Sequence, residues 1–240
     1  MGKHPLLELS VFFPAYNEEA NIKNTIEKAI PVIKEVAKKW EVVVVNDGST
    51  DKTEPIVKQI MKEHPEVRMI THSPNRGYGA AFKSGFYNSK FQWITFTDAD
   101  GQFDFQDIYR LIEKQKQTKA DLVIGYYLGR KAPFVRIWGS RLWELMVLFL
   151  FGLKVKDIDC GFKLVSKKVI DTIPKLESER GPFISSEFLI KAKKAGFKIE
   201  QVGVAHFARR AGKASGAKFE VILAGFKDLF GLWFKMNLGK

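Results

Sequence analysis

The amino-acid sequence predicts an α/β domain built on a mostly parallel central sheet flanked by helices. Three observations lead there. Strand-like and helix-like segments alternate through the first half of the chain, positions 42 to 45 are four consecutive valines, and three polar clusters directly follow apolar runs. A parallel sheet covered on both faces needs strands that are apolar throughout, and the valine run meets that need. The polar clusters fall where such sheets bind ligands, beyond the carboxyl ends of the strands.

In chain order, Leu9 to Phe13 reads as a buried strand stopped by Pro14. Ile22, Ile26, Ala29, Ile33, Val36 and Ala37 then recur at helical spacing, with Pro31 expected to kink or split that helix because it lacks an N–H and crowds the preceding turn. Glu41 to Asn46 is the second strand. Asp47-Gly48-Ser49-Thr50-Asp51 supplies a turn and a helix start, and Ile56, Val57, Ile60 and Met61 form the apolar stripe of that helix. Val67 to Thr71, Trp93 to Thr97 and Leu122 to Gly125 read as strands, and Gly79 to Asn88 and Gln106 to Gln117 as helices. Glu187 is placed at the start of a helix running to Ala195, where the helix dipole favours a carboxylate.

With 240 residues, 45% of them hydrophobic, and no linker or repeat, the chain is expected to form one domain over residues 1–215, followed by an amphipathic helix in 216–240. The single cysteine, Cys160, forms no intramolecular disulfide, and the first residues lack a signal-peptide pattern, so a cytoplasmic setting is expected. A net charge of +12 points to anionic partners: phosphorylated small molecules, acidic lipid headgroups or nucleic acid. No nucleic-acid-binding motif accompanies it, which sets nucleic acid aside. The apolar run from Leu145 to Phe151 falls far short of the ~20 residues that cross a bilayer. Between Phe219 and Met236, Phe219, Ile222, Leu223, Phe226, Phe230 and Trp233 stand opposite Glu220, Lys227, Asp228 and Lys235, the pattern of an interfacial helix. Peripheral contact with the cytoplasmic face of a membrane is therefore expected, and the sequence identifies no membrane-protein partner.

The polar clusters are Tyr16-Asn17-Glu18, Asn46-Asp47-Gly48-Ser49 and Asp98-Ala99-Asp100-Gly101-Gln102. In the last, Asp98 and Asp100 are one residue apart and Gln102 adds a neutral oxygen, a hard donor set that suits Mg2+ or Mn2+. A cation so held, with open positions, clamps a diphosphate and stabilises it as a leaving group. Asn75-Arg76-Gly77-Tyr78-Gly79 opens a helix whose N-terminus accepts phosphate or positions a nearby loop. It is not a dinucleotide fingerprint, because Phe82 stands where the third glycine belongs, and there is no Walker A sequence. His206 ends a strand and either completes the metal site or packs structurally. Cys160 reads as a small packed residue in a tight turn.

The strings PAYNEE (14 to 19), VVNDGSTD (44 to 51), NRGYGAA (75 to 81) and TDADGQ (97 to 102), in this order and spacing, resemble family 2 glycosyltransferases of the GT-A fold, a single Rossmann-like domain. Arg136 with Ser140, DIDCGFK (157 to 163), Glu187 and HFARRAGK (206 to 213) resemble the branch typified by dolichol-phosphate mannose synthase and bacterial polyprenyl-phosphate glycosyltransferases. The resemblance implies that Pro14, Tyr16, Glu18 and Asp47 cradle the nucleotide of a UDP- or GDP-linked sugar, Asp47 accepting from the base, with Arg76, Gly77, Asp98 and Ala99 beside it. It implies Asp98, Asp100 and Gln102 as metal ligands, to which His206 is the candidate addition. It places Arg130, Arg136, Ser140 and Arg209 around the phosphate of a polyprenyl phosphate acceptor, and Asp157 near the reacting centre, where with Asp100 it serves catalysis.

The expected reaction is inverting transfer of one hexose to that phosphate. Two rivals are weighed. The same fold acting on a sugar hydroxyl would need Asp157 or Asp159 as a true base, and a nucleotidyltransferase would share the paired aspartates but release pyrophosphate.

Overall fold

The computed structural model describes residues 5–129, 134–179, 181, 183–208 and 219–238. Its centre is a seven-stranded sheet in the order β3-β2-β1-β4-β6-β5-β7. β1 (Leu6–Ala15) lies between β2 (Ala37–Asn46) and β4 (Trp93–Phe96), parallel to both, and β3 (Val67–Thr71) continues the parallel run on the far side of β2. β6 (Lys163–Ser166) is antiparallel to both β4 and β5 (Leu122–Leu128), and β7 (Ile199–Ala205) is parallel to β5. The sheet is thus mostly parallel, as the sequence predicts, with one reversed strand. Its helices are α1 (Ile22–Val36), α2 (Thr53–Glu63), α3 (Tyr78–Asn88), α4 (Ile108–Thr118), α5 (Phe134–Phe151), α6 (Lys167–Thr172), α7 (Phe183–Lys194) and α8 (Phe219–Leu238).

Alternation along β2 divides the valine run between two cores. Val42 and Val44 pack with Leu9, Val11, Phe13, Ile26 and Ile33 on the α1 face. Val43 and Val45 pack with Phe12, Phe82, Phe96 and Phe188 on the face covered by α3 and α7, where Leu229 and Leu232 of α8 also dock. Successive side chains of a strand point to opposite faces, so four buried valines require cover on both sides.

Two expectations need correction, and of the kink or split expected at Pro31 the split does not occur. α1 runs through Pro31 as one element, and the buried stripe continues across it at Ile30, Ile33 and Val36. β2 starts at Ala37, where Ala37 pairs with Leu6, so that residue belongs to the sheet and not to the helical stripe. α7 starts at Phe183, a turn before Glu187, which takes that carboxylate away from the helix dipole's end.

Gly85 shows how closely α3 approaches the sheet: a Cβ there would stand 2.2 Å from the Phe12 ring. Gly85→Ala would ordinarily favour a helix by about 1 kcal/mol, but collision with a fully buried ring is the larger effect. The variant is expected to lose about 1–3 kcal/mol of stability, read as a lower denaturation midpoint. A variant as stable as its parent would contradict this packing.

Candidate active site

Because β2, β1 and β4 are neighbours, their three polar ends meet on one rim. The first two ends are interlocked. Asn17 N–H donates to Ser49 Oγ (3.0 Å) and Thr50 N–H to Asn17 Oδ1 (2.8 Å), while Glu18 N–H donates to Thr53 Oγ1 (2.8 Å) and Glu19 N–H to Asp51 Oδ2 (3.0 Å). Much of the acidic and hydroxylic character of these motifs therefore serves to hold two loops together. Glu18 is buried and accepts the Asn21 amide at 2.8 Å, Pro14 is buried at the end of β1, and Tyr16 is left exposed on the rim.

Asp47 is 3% exposed, and its carboxylate accepts from four groups of its own chain. Oδ1 takes His72 Nδ1 (2.6 Å) and Arg76 N (3.0 Å), and Oδ2 takes Asn75 Nδ2 (2.8 Å) and Gly77 N (2.8 Å). A carboxylate has about four lone-pair sites, and four donors of residues 72–77 meet those of Asp47, which gathers that segment beside the end of β2. Gly48 (φ +70°) must be glycine there, since a Cβ would stand 2.7 Å from Asn75 N.

The N-terminus of α3 holds a neighbouring segment. Ala80 N–H donates to the Glu179 carbonyl at 2.9 Å, and the Glu179 carboxylate holds Arg76 and Lys83, each at 3.0 Å. Tyr78, which the sequence reading passed over, donates its hydroxyl to Asp98 Oδ1 at 3.2 Å. Burial and then the Asp98 charge push this phenol well above the ordinary tyrosine range, so it stays a donor.

Asp98 is half-buried and Asp100 buried on the loop after β4. Asp100 Oδ1 accepts Gln102 N–H at 3.0 Å, which folds the loop back on itself. Gln102 Nε2 donates to the Phe207 carbonyl at 2.9 Å, orienting the amide. Ala99 turns its methyl into the core, and its carbonyl accepts the Thr25 hydroxyl at 3.2 Å. His206 bridges to Phe103 and lies on Tyr127, ring centres 4.3 Å apart. Among the described residues no group of three His, Cys, Asp or Glu side chains converges as a metal cage, so His206 does not form a ready cluster with Asp98 and Asp100. Two carboxylates and an oriented amide still fit a hard cation that completes its coordination with water and diphosphate oxygens.

On the other side of the rim, Asp157 Oδ1 accepts the N–H groups of Asp159 and Cys160, each at 3.0 Å, closing a tight turn. Burial pushes the Cys160 thiol up to about 12, which agrees with a packed residue and not a nucleophile. A polar cavity of about 180 Å³ unites Asp157 with Ser140, Arg141, Glu144 and Lys156. Ser140 and Asp157, drawn from distant motifs, thus share one cavity. Arg141 and Lys156 were missed by the sequence reading, although each adjoins a residue it did select; Lys156 lies over the Tyr126 ring at 4.3 Å. Arg130 and Arg209, and the side chain of Arg136, lie outside the described residues. Glu187 plays no part in this cavity. Against the upward push of burial, Lys191 (2.6 Å) and the N–H groups of Ser178 and Glu177 hold its pKa down, and it anchors the segment before α7.

The sheet order, the paired aspartates after β4 and the interlocked loops of β1 and β2 define a GT-A glycosyltransferase domain. Residues 10–173 match the model of glycosyl transferase family 2, and the chain belongs to that family. Among curated proteins it is 34% identical over 220 residues to the dolichyl-phosphate beta-glucosyltransferase of Saccharomyces cerevisiae, covering 82% of this chain and 66% of that protein. It is 27% identical over 238 residues to the dodecaprenyl-phosphate galacturonate synthase of Rhizobium johnstonii, covering 97% of this chain and 70% of that one. The chain thus spans about two-thirds of the length of these relatives. A solved structure of glucosyl-3-phosphoglycerate synthase from Mycobacterium tuberculosis, in complex with Mn2+, uridine diphosphate and glucosyl-3-phosphoglycerate, shares the fold. The TM-score is 0.70 at 20% identity, over 98% of this chain and 80% of that one.

Proposed function

We propose that this chain transfers a hexose from a UDP- or GDP-linked sugar to a polyprenyl phosphate, with inversion at the anomeric carbon. The observation that carries the reading is the two-sidedness of α5. One side of the helix places Ser140 in the polar cavity with Lys156 and Asp157, and Arg141 reaches that cavity from the border between the two sides. The other exposes Trp138, Leu142, Leu145 and Phe149, the last 90% exposed, at steps of four, three and four residues, which is one helical face. A phosphate head on a long apolar tail matches both sides. The relatives named for dolichyl and dodecaprenyl phosphate support it.

In this reading Pro14, Tyr16, Glu18, Asp47, Arg76, Gly77 and Ala99 border the nucleotide, and Asp98, Asp100 and Gln102 would hold Mg2+ or Mn2+, which would supply charge neutralisation for the departing diphosphate. A phosphate oxygen of the acceptor forms the new bond to the anomeric carbon while the sugar–diphosphate bond breaks on the opposite side. A phosphate monoester, with its second pKa near ~6, is largely dianionic at neutral pH and needs no strong base. Asp157 orients the reactants, and Ser140, Arg141 and Lys156, with Arg130, Arg136 and Arg209 from the motifs, bind the acceptor phosphate. A screen of UDP- and GDP-sugars with polyprenyl phosphate should release one nucleoside diphosphate per glycolipid formed. Nucleoside diphosphate without glycolipid would count against the acceptor.

The same reading seats the domain on the cytoplasmic face of a membrane through α5 and α8. No helix among the described residues is long and apolar enough to cross one. Leu145, Met146, Phe149, Leu150 and Phe230 line an apolar groove of about 380 Å³ between the two helices, and Phe234 is exposed one turn beyond Phe230. The apolar residues of α8 divide between its two sides. Phe226 packs edge-on against Trp143 at 5.3 Å, and Leu229 is buried in the core. Phe149→Glu with Phe230→Glu is therefore expected to reduce liposome co-sedimentation several-fold without changing the denaturation midpoint, whereas Phe226→Glu should lower that midpoint. Unaltered liposome binding by the folded double variant would remove this face from the account.

A further inference from the structure

Lys163 begins β6 in the middle of the sheet and is 0% exposed. Its hydrogen bonds go to two carbonyl oxygens, those of Ile158 (3.2 Å) and Cys160, and its ammonium lies 5.3 Å from the centre of the Phe96 ring. A charge in such a place is unfavourable unless it is well bonded. Burial lowers its pKa from the ordinary lysine value, against the opposing influence of Cys160, Asp157, Asp159 and Asp98.

Both carbonyls belong to the turn that carries Asp157 and Asp159. The carboxylate of Asp157 collects the turn's N–H groups, and Lys163 collects its carbonyls. The turn in turn rests on the loop after β4: a Cβ at Gly161 would stand 2.6 Å from Asp98 Oδ2. The position of this turn therefore sets how Asp157 stands relative to Asp98 and Asp100.

We propose that Lys163 is a positioning residue whose buried ammonium, bonded to the Ile158 and Cys160 carbonyls, holds Asp157 in register with the Asp98–Asp100 loop and sets its charge near the Asp157 and Asp98 carboxylates. The inference rests on the active-site reading given above, but its first test needs no substrate. Cys160 is the sole cysteine of the chain and is buried in the turn, so its reaction with a small thiol reagent reports opening of the turn. In Lys163→Met, which leaves the Ile158 and Cys160 carbonyls without this donor, labelling should accelerate about tenfold or more while the protein remains folded, the outcome for an opening eased by about 1.4 kcal/mol. With a donor that the parent turns over, kcat should fall ~30-fold while the donor KM stays within about threefold, because the carboxylates bind but are misaligned.

Lys163→Gln, which keeps a donor for the carbonyls but no charge, covers the case of a Met variant that does not fold. It should label slowly and still lose most of kcat. Parental labelling and kcat in both variants would overturn the proposal, as would a fall of midpoint, donor affinity and kcat together. If the parent itself transfers nothing to polyprenyl phosphate, the labelling result still decides the role of Lys163.

Discussion

Asp100→Ala is expected to lower sugar transfer by ~10²–10³-fold and to abolish metal-dependent binding of nucleoside diphosphate, with the fold intact. Asp100 is buried on the loop after β4, and the bond it makes within that loop is to Gln102 N–H. Its removal deletes one of two charged donors for a cation worth several kcal/mol of transition-state stabilisation, and each ~1.4 kcal/mol is tenfold in rate. Calorimetry with nucleoside diphosphate, with and without Mn2+, separates binding from chemistry. Metal-dependent affinity that survives in a folded Asp100→Ala protein would remove the paired aspartates from this role.

Arg141→Ala is expected to raise the KM for lipid phosphate ~10–100-fold and to leave the donor KM within about twofold, since a hydrogen bond to a charged group contributes about 1.5–3 kcal/mol. The motive is location: Arg141 shares the cavity of Ser140 and Asp157, and guanidinium forks suit phosphate oxygens. Initial rates with each substrate varied in turn provide the measurement. Equal movement of both constants, or of the donor's alone, would assign Arg141 to the donor diphosphate.

What the sequence displayed about the fold was whatever periodicity encodes. β1 to β5 and the helices between them follow from apolar runs and stripes, and the valine run announced cover on both faces. β6 and β7 were harder to delimit: β6 is four residues long and begins with a lysine, and β7 carries Glu200 and Gln201. Pro31 does not split α1, because a tertiary stripe outweighs one missing hydrogen bond.

At the site, residue type marked the motifs but not their partners. Asp47 looks in sequence like a ligand donor, and only the folded chain shows His72 and residues 75–77 around it. The division of α8 between packed and exposed apolar residues also escaped a single-helix pattern. Which of its apolar residues face inward depends on α5, through Trp143, and on the core that receives Leu229. Lys163 lies inside a motif that was read for its aspartates, and nothing in its neighbours says that it is buried.

The most direct test of the central claim compares acceptors that differ by one group. Polyprenyl phosphate, the corresponding polyprenol and a soluble sugar are each offered with the preferred nucleotide sugar, and the glycosylated products are weighed by mass spectrometry. The account predicts product from polyprenyl phosphate alone, because the cavity at Asp157 offers cations for a phosphate and the reaction relies on a dianionic nucleophile. Transfer to the polyprenol or to the sugar hydroxyl at a comparable rate would contradict it, and Asp157 or Asp159 would then have to act as a general base.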